Sequence, residues 1–185
     1  TDASRGKGAF AKVMQGMDNL RQAGCVFGFS TLVTRHNVAA ICSEEWMGLL
    51  VEKGALYGWL FLYMPVGRDP DTSLMPTPDQ RDKLRVFVRH IRDTKPILPI
   101  DFWNDGPLAG SCLAGGRHYF HVNHNGDVEP CIFCHFSTHN LHDCTIGDVL
   151  KSPFFTAIRE EQPFSHNTLL PCPIIDHTDT LWNMI

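Results

Sequence analysis

The thiols of this sequence carry its most specific chemistry. Of seven cysteines, five (Cys112, Cys131, Cys134, Cys144 and Cys172) lie beyond residue 110, together with eight of the ten histidines. Cys112 is followed by thirteen residues, Gly126, four residues and Cys131. Cys131 and Cys134 form a CxxC, and Pro171-Cys172-Pro173 adds a late thiol on a backbone restrained by two prolines. Four soft thiolates suit a structural tetrahedral zinc or an iron-sulfur cluster. Zinc ribbons normally present two compact CxxC knuckles; here there is one CxxC and two distant single cysteines. Spacing alone leaves both centres open, and Cys144 is a spare thiol.

The histidines are weaker ligand candidates. His118 and His124 fall in and beside a hairpin, and His135, His139, His142 and His166 fall in polar loops, where an imidazole is readily solvated. His121 alternates with Phe120 and Val122, as the polar face of a strand does. No isolated cysteine stands at a helix N-terminus beside a base, which argues against a catalytic Cys-His pair.

An odd number of thiols, with no basic segment leading into an apolar one at the N-terminus, points to the reducing cytoplasm and to metal rather than to a disulfide framework. Sixteen Lys and Arg against 20 Asp and Glu give a net charge of -4. That balance disfavours nucleic acid and anionic membrane surfaces as partners. The apolar stretches fall short of the ~20 residues that cross a bilayer. With 43% hydrophobic and 19% charged residues over 185 positions, a globular protein with a real core is expected.

The elements that must position these thiols read as two segments. In the first, Phe10, Val13, Met14, Met17 and Leu20 recur at helical spacing, predicting a helix over 9–23 that Gly24 stops. A continuous β-rich run predicts a strand over 25–34, buried on both faces. Asn37 can cap a second helix whose inner face is Val38, Ile41, Cys42, Trp46, Leu49 and Leu50, closed by Gly54. A strand over 57–64, a Pro- and Gly-rich loop, a helix opened by Thr77-Pro78-Asp79-Gln80 and a strand over 97–101 follow. Cys25 and Cys42 read as small core residues, and Arg5-Gly6-Lys7-Gly8 as a loop leading into a helix.

Helix and strand in alternation predict an α/β fold with parallel strands, whose chemistry sits at the strands' C-terminal ends. In the second segment Asn125-Gly126 between 119–122 and 127–129 signals a β-hairpin. Short helices follow over 145–150, with Ile146, Val149 and Leu150 inward, and over 153–159. The composition shift puts the boundary near 108, giving domains 1–108 and 109–185.

The residues 5–10 (RGKGAF), 29–37 (FSTLVTRHN) and 63–68 (YMPVGR), followed by the CX13GX4C opening, the CxxC and the late PCP, resemble the C-terminal part of radical S-adenosylmethionine proteins that carry a SPASM or twitch extension. The resemblance covers essentially the whole chain. It implies the C-terminal part of a partial (β/α) barrel followed by a small Cys-rich β-hairpin and short-helix extension. It further implies a C-terminal fragment, since the CxxxCxxC that holds the catalytic 4Fe-4S cluster is absent from these 185 residues.

By the same resemblance, Arg5 meets the methionyl carboxylate of S-adenosylmethionine, for which a guanidinium fork is suited. Ser30 and Asn37 lie on the next strand end, and Met64 with Pro65 flanks adenine. Cys112, Cys131, Cys134 and Cys172 hold one auxiliary 4Fe-4S cluster, because the CX2CX5CX3C middle of a full SPASM pattern is missing. The implied reaction is reductive cleavage of S-adenosylmethionine and hydrogen abstraction from a substrate, a peptide or protein in kind, with electrons from a flavodoxin or ferredoxin. A zinc-stabilised, non-enzymatic binding module is the alternative.

Overall fold

A computed structural model of the chain describes residues 1–184, with side chains described for all of these except residues 3 and 4. The chain divides into two compact units, Thr1–Phe102 and Trp103–Ile185.

In the first unit a short helix α1 (Asp2–Arg5) precedes α2 (Ala9–Gln22). The Arg5–Gly8 loop leads into α2, and the Asp2 carboxylate accepts the N–H groups of Gly8 at 2.9 Å and Phe10 at 2.7 Å. Those amides are orphan donors of a helix start, so the acid caps α2 across the loop. Its carboxyl is held below the usual range by those two bonds.

Three parallel strands, β1 (Gly28–Val33), β2 (Tyr57–Leu62) and β3 (Leu98–Asp101), lie in the order β1-β2-β3. Period-two alternation sorts their side chains. Phe29, Val33, Leu60, Leu62 and Asp101 share one face and are buried. α4 (Glu44–Lys53) and α5 (Pro78–Thr94) add buried residues to this unit's core, Met47 and Leu50 from the first and Leu84, Val88 and Ile91 from the second. The opposite face stays open: Ser30 and Leu32 are exposed, and Trp59 and Phe61 are half-buried. Trp59 stacks on Phe61 at 5.8 Å, and Phe102 just beyond β3 closes on Phe61 at 5.5 Å.

Several expectations need correction. β1 begins at Gly28 and is buried on one face only. Cys25 is exposed rather than buried, because its N–H reaches back to the Leu20 carbonyl at 3.0 Å and finishes α2 after the positive-φ Gly24. The helix expected after Asn37 is two helices, α3 (Val38–Ile41) and α4. Ser43 separates them: its hydroxyl donates to the Ala40 carbonyl and accepts the Trp46 N–H at 3.1 Å, starting a new helix. Cys42, at that break, is half-buried, and burial followed by the charge of Asp101 pushes its thiol up to about 11. α5 has the expected capping box, with Thr77 accepting from Gln80 N and Gln80 accepting from Thr77 N.

The second unit starts with α6 (Gly106–Ala109) and a pair of two-residue antiparallel strands, β4 (His121–Val122) and β5 (Val128–Glu129). Helices α7 (Ile146–Leu150), α8 (Pro153–Glu160) and α9 (Thr178–Trp182) follow. Val128, Val149, Phe154, Phe155 and Ile158 form its apolar core. Ile146 turns outward, 48% exposed, because it is the first residue after the Thr145 cap, while Val149 three residues on faces the core. No described helix is long and apolar enough to cross a membrane.

Candidate metal centre

A second, smaller apolar group in this unit is built around thiols. Ala114, Cys131 and Cys134 are buried in it, and Cys112, Tyr119, Phe133, Phe136, Ile174 and Leu181 pack against them. The thiols come from three limbs of the chain. The Cys112 limb is tied to the CxxC limb by the Gly115 N–H, which donates to the Pro130 carbonyl at 2.9 Å. Within the CxxC, the Cys134 N–H donates to the Cys131 carbonyl at 3.0 Å, a tight turn that keeps both thiols near one locus.

The Cys172 limb is folded on itself. Cys172 N–H donates to the Asp176 carboxylate at 3.0 Å, and Asp176 N–H returns to the Cys172 carbonyl at 2.8 Å. Gly106 of α6 meets this limb from outside. A Cβ placed on Gly106 would stand 2.0 Å from the Thr168 carbonyl oxygen and 3.4 Å from Pro171, so only glycine allows this approach.

Gly126 of the CX13GX4C pattern also has a physical role. Its φ is +87°, and an added Cβ would come within 2.8 Å of Asn140 Oδ1. Asn140 pins the turn by donating to the Asn125 carbonyl and to Asp127, both at 2.9 Å. The glycine thus allows the turn to close against Asn140 four residues before the Pro130-Cys131 limb.

Each of the four sulfurs is met by the backbone N–H two residues ahead. Ala114 N–H lies 3.4 Å from Cys112 Sγ. Phe133 and Cys134 supply N–H groups to Cys131, Phe136 to Cys134, and Ile174 and Ile175 to Cys172. Such bonds favour thiolate. Burial opposes them and wins: it pushes Cys131 up to about 12 and Cys134 to about 11, and raises Cys112 and Cys172 as well. Charge on any one thiol is felt by others, since Cys131 and Cys172 are each raised further by Cys112. Tyr119 stands among them, its phenol raised by burial and then by Cys131, Cys112 and Cys172.

This donor set can serve a metal that displaces the thiol protons. A single zinc would gather its sulfurs to about 2.3 Å around one point. Among the described residues, no three His, Cys, Asp or Glu side chains converge tightly enough to surround one metal ion. Thiols that sense one another's charge and carry amide hydrogen bonds suit a thiolate-held centre, zinc or iron-sulfur.

The remaining cysteine and histidine candidates lie elsewhere. Cys144 donates to the Asn140 carbonyl at 3.3 Å and packs on the Val128–Phe155 core, apart from the thiol group. His121 is hydrogen-bonded to the buried Glu129 at 2.8 Å.

In the first unit, Ser30 is exposed on the open sheet face, three residues into β1 rather than at its end. Asn37 makes no cap bond with its side chain; its Oδ1 accepts from Thr34 N–H at 2.7 Å and its Nδ2 donates to the Leu32 carbonyl at 2.8 Å, closing the loop after β1. Met64 is buried and Pro65 half-buried just past β2, while Arg5 is exposed at the end of α1. Sequence reasoning missed Arg117, Tyr119 and Gly106, none of which stands in a ligand-like spacing.

Residues 112–173 match the SPASM family, an iron-sulfur cluster-binding domain. An AdoMet-dependent heme synthase of Oleidesulfovibrio alaskensis is 26% identical over 184 residues, covering 85% of this chain and 46% of that protein. The mycofactocin maturase MftC of Mycobacterium tuberculosis is 32% identical over 177 residues, covering 87% of this chain and 44% of that protein. The chain spans about half the length of these curated relatives. A solved structure, hexahistidine-tagged anSMEcpe with bound AdoMet, shares the fold with a TM-score of 0.53 at 17% identity, over 77% of this chain and 42% of its own. The chain therefore belongs with the radical S-adenosylmethionine proteins that carry a SPASM domain.

Proposed function

We propose that this chain forms the auxiliary-cluster end of a radical S-adenosylmethionine enzyme, with Cys112, Cys131, Cys134 and Cys172 holding one 4Fe-4S cluster. The observation that carries the reading is the set of four thiols, on three limbs, each with an amide aimed at its sulfur, within the segment 112–173 that matches an iron-sulfur cluster-binding domain. When bound, the cofactors of such an enzyme supply reductive cleavage of S-adenosylmethionine and hydrogen abstraction from a substrate. This chain's own part is to hold the thiolates, screen them with Tyr119, Phe133, Phe136 and Leu181, and give up their protons.

The first unit, on this reading, is the C-terminal part of a partial (β/α) barrel, and its open face turns toward the barrel interior. Ser30, Met64 and Pro65 flank S-adenosylmethionine, Asn37 holds the loop after β1 in shape, and Arg5 meets the methionyl carboxylate. A peptide or protein is the proposed substrate, and reduced flavodoxin or ferredoxin is the proposed electron source.

Anaerobic reconstitution tests the centre. Wild type is expected to take up iron and sulfide in the amount of one cluster, and Cys131→Ala is expected to lose it. Full iron in the variant, or zinc and no iron in anaerobically prepared wild type, would overturn the assignment.

A further inference from the structure

The Cys112 limb carries a positive charge that no described side chain neutralises. Arg117 is half-buried, its Nη1 donating to the Cys112 carbonyl at 3.1 Å and its Nη2 to the Ala109 carbonyl at 2.7 Å. Carbonyl oxygens orient a guanidinium without cancelling its charge. Among the described residues no carboxylate pairs with it. The Arg117 charge reaches the Cys112 thiol, favouring the thiolate against the larger effect of burial.

A second observation lies on the same limb. Ser111, directly before Cys112, is 3% exposed, and its hydroxyl has no hydrogen-bond partner among the described residues. Its φ is +154°, a value unusual away from glycine. Buried hydroxyls are normally paired. An unneutralised guanidinium and an orphan hydroxyl therefore belong to the same limb as Cys112, and the guanidinium's charge is felt at its thiol.

We propose that Arg117 is a positioning residue of the thiol centre: its two carbonyl bonds fix the Cys112 limb, and its charge biases the bound cluster toward the reduced state. The inference rests on the iron-sulfur reading given above. Reduction adds one electron, and so one negative charge, to the cluster. A fixed cation nearby, in a partly desolvated site, stabilises that product more than the oxidised form. Removing the charge lowers the potential, while an ammonium in the same place retains it.

The test uses the full chain described here, reconstituted anaerobically with iron and sulfide and titrated with dithionite, the reduced fraction being followed by electron paramagnetic resonance. Arg117→Gln can still donate to a carbonyl but has no charge. It is expected to keep its iron and to be roughly tenfold less reduced at a fixed potential, a shift of about 59 mV for one electron. Arg117→Lys is expected to keep the wild-type midpoint. An unshifted Arg117→Gln midpoint overturns the charge role, as does a shift of equal size in Arg117→Lys. Loss of iron from both variants alike also overturns it, leaving a purely structural role. Loss of iron from Arg117→Gln alone, with Arg117→Lys loaded at the wild-type midpoint, supports it. If wild type takes up no iron, the reading of the centre fails before that of Arg117.

Discussion

Burial of the thiols makes metal loading a proton-releasing event. Each of the four has a pKa above its ordinary 9.0, through burial first, with Cys131 pushed to about 12 and Cys134 to about 11. At pH 7, about one in 10⁵ Cys131 side chains and about one in 10⁴ Cys134 side chains are then ionised. Cys112 and Cys172 are shifted in the same direction. On the proposed ligand set a cluster takes all four as thiolates, so close to four protons leave per chain, and the logarithm of apparent affinity should rise with pH at a slope approaching four.

The same shifts fix how stability depends on pH. A thiol whose folded pKa is raised contributes stability that is complete below its unfolded value near 9 and is lost as pH climbs through the folded value. The apo chain should therefore lose stability between about pH 9 and about 11–12, the window set by Cys131 and Cys134. The loaded chain should be spared that loss, its thiols being already deprotonated. Thiolate absorbance of the folded apo chain, compared with the chain in denaturant, reads the shift directly; proton release during anaerobic loading in weak buffer reads the stoichiometry. Thiols that titrate near 9 in the folded apo chain, or loading that releases fewer than two protons, would refute the reasoning.

Two substitutions probe the limbs separately. Gly106→Ala places a methyl group 2.0 Å from the Thr168 backbone oxygen; overpacking of this kind costs about 1–3 kcal/mol, and displacement of the Cys172 limb should lower both the melting temperature and the iron content. Cys144→Ala should leave iron and sulfide unchanged, because its thiol bonds to Asn140 and packs on the other core, with a stability loss of about 1 kcal/mol in thermal unfolding.

What could be read in advance follows the range over which each interaction acts. The α5 start is complete within four residues, Thr77 to Gln80, and so it is visible in the sequence. The parallel order of β1, β2 and β3 follows from alternation of helix and strand. Cys25 misleads because an apolar run does not reveal where a helix finishes: the Leu20 carbonyl, five residues back, claims its amide. Ser43 misleads likewise, since helical periodicity continues across a residue whose hydroxyl begins a new helix.

At the centre, spacing picks out the cysteines but not their surroundings. Gly106 is restricted by a carbonyl sixty-two residues away, and Arg117 by two carbonyls that any arginine could reach. Neither contact leaves a periodic or compositional trace.

The three thiol limbs are also far apart along the chain. From Cys134 to Cys172 a segment of nearly forty residues leaves the CxxC, passes through α7 and α8, and returns. A cluster bonded to both ends would act as a cross-link, removing from the unfolded ensemble the freedom of that loop and of the shorter one between Cys112 and Cys131. In the chain-entropy picture a closed loop of 15–100 residues is worth about 3–5 kcal/mol. The Val128–Phe155 core has its own contacts and does not depend on the cross-link. The thiol group has Ile174 and Leu181 of the C-terminal limb packed on it, while Met184 of the same limb packs on the Val128–Phe155 core. Loss of the centre would thus loosen the stretch around Cys172, Ile174 and Leu181 first, so that cluster degradation and exposure to proteases become one event.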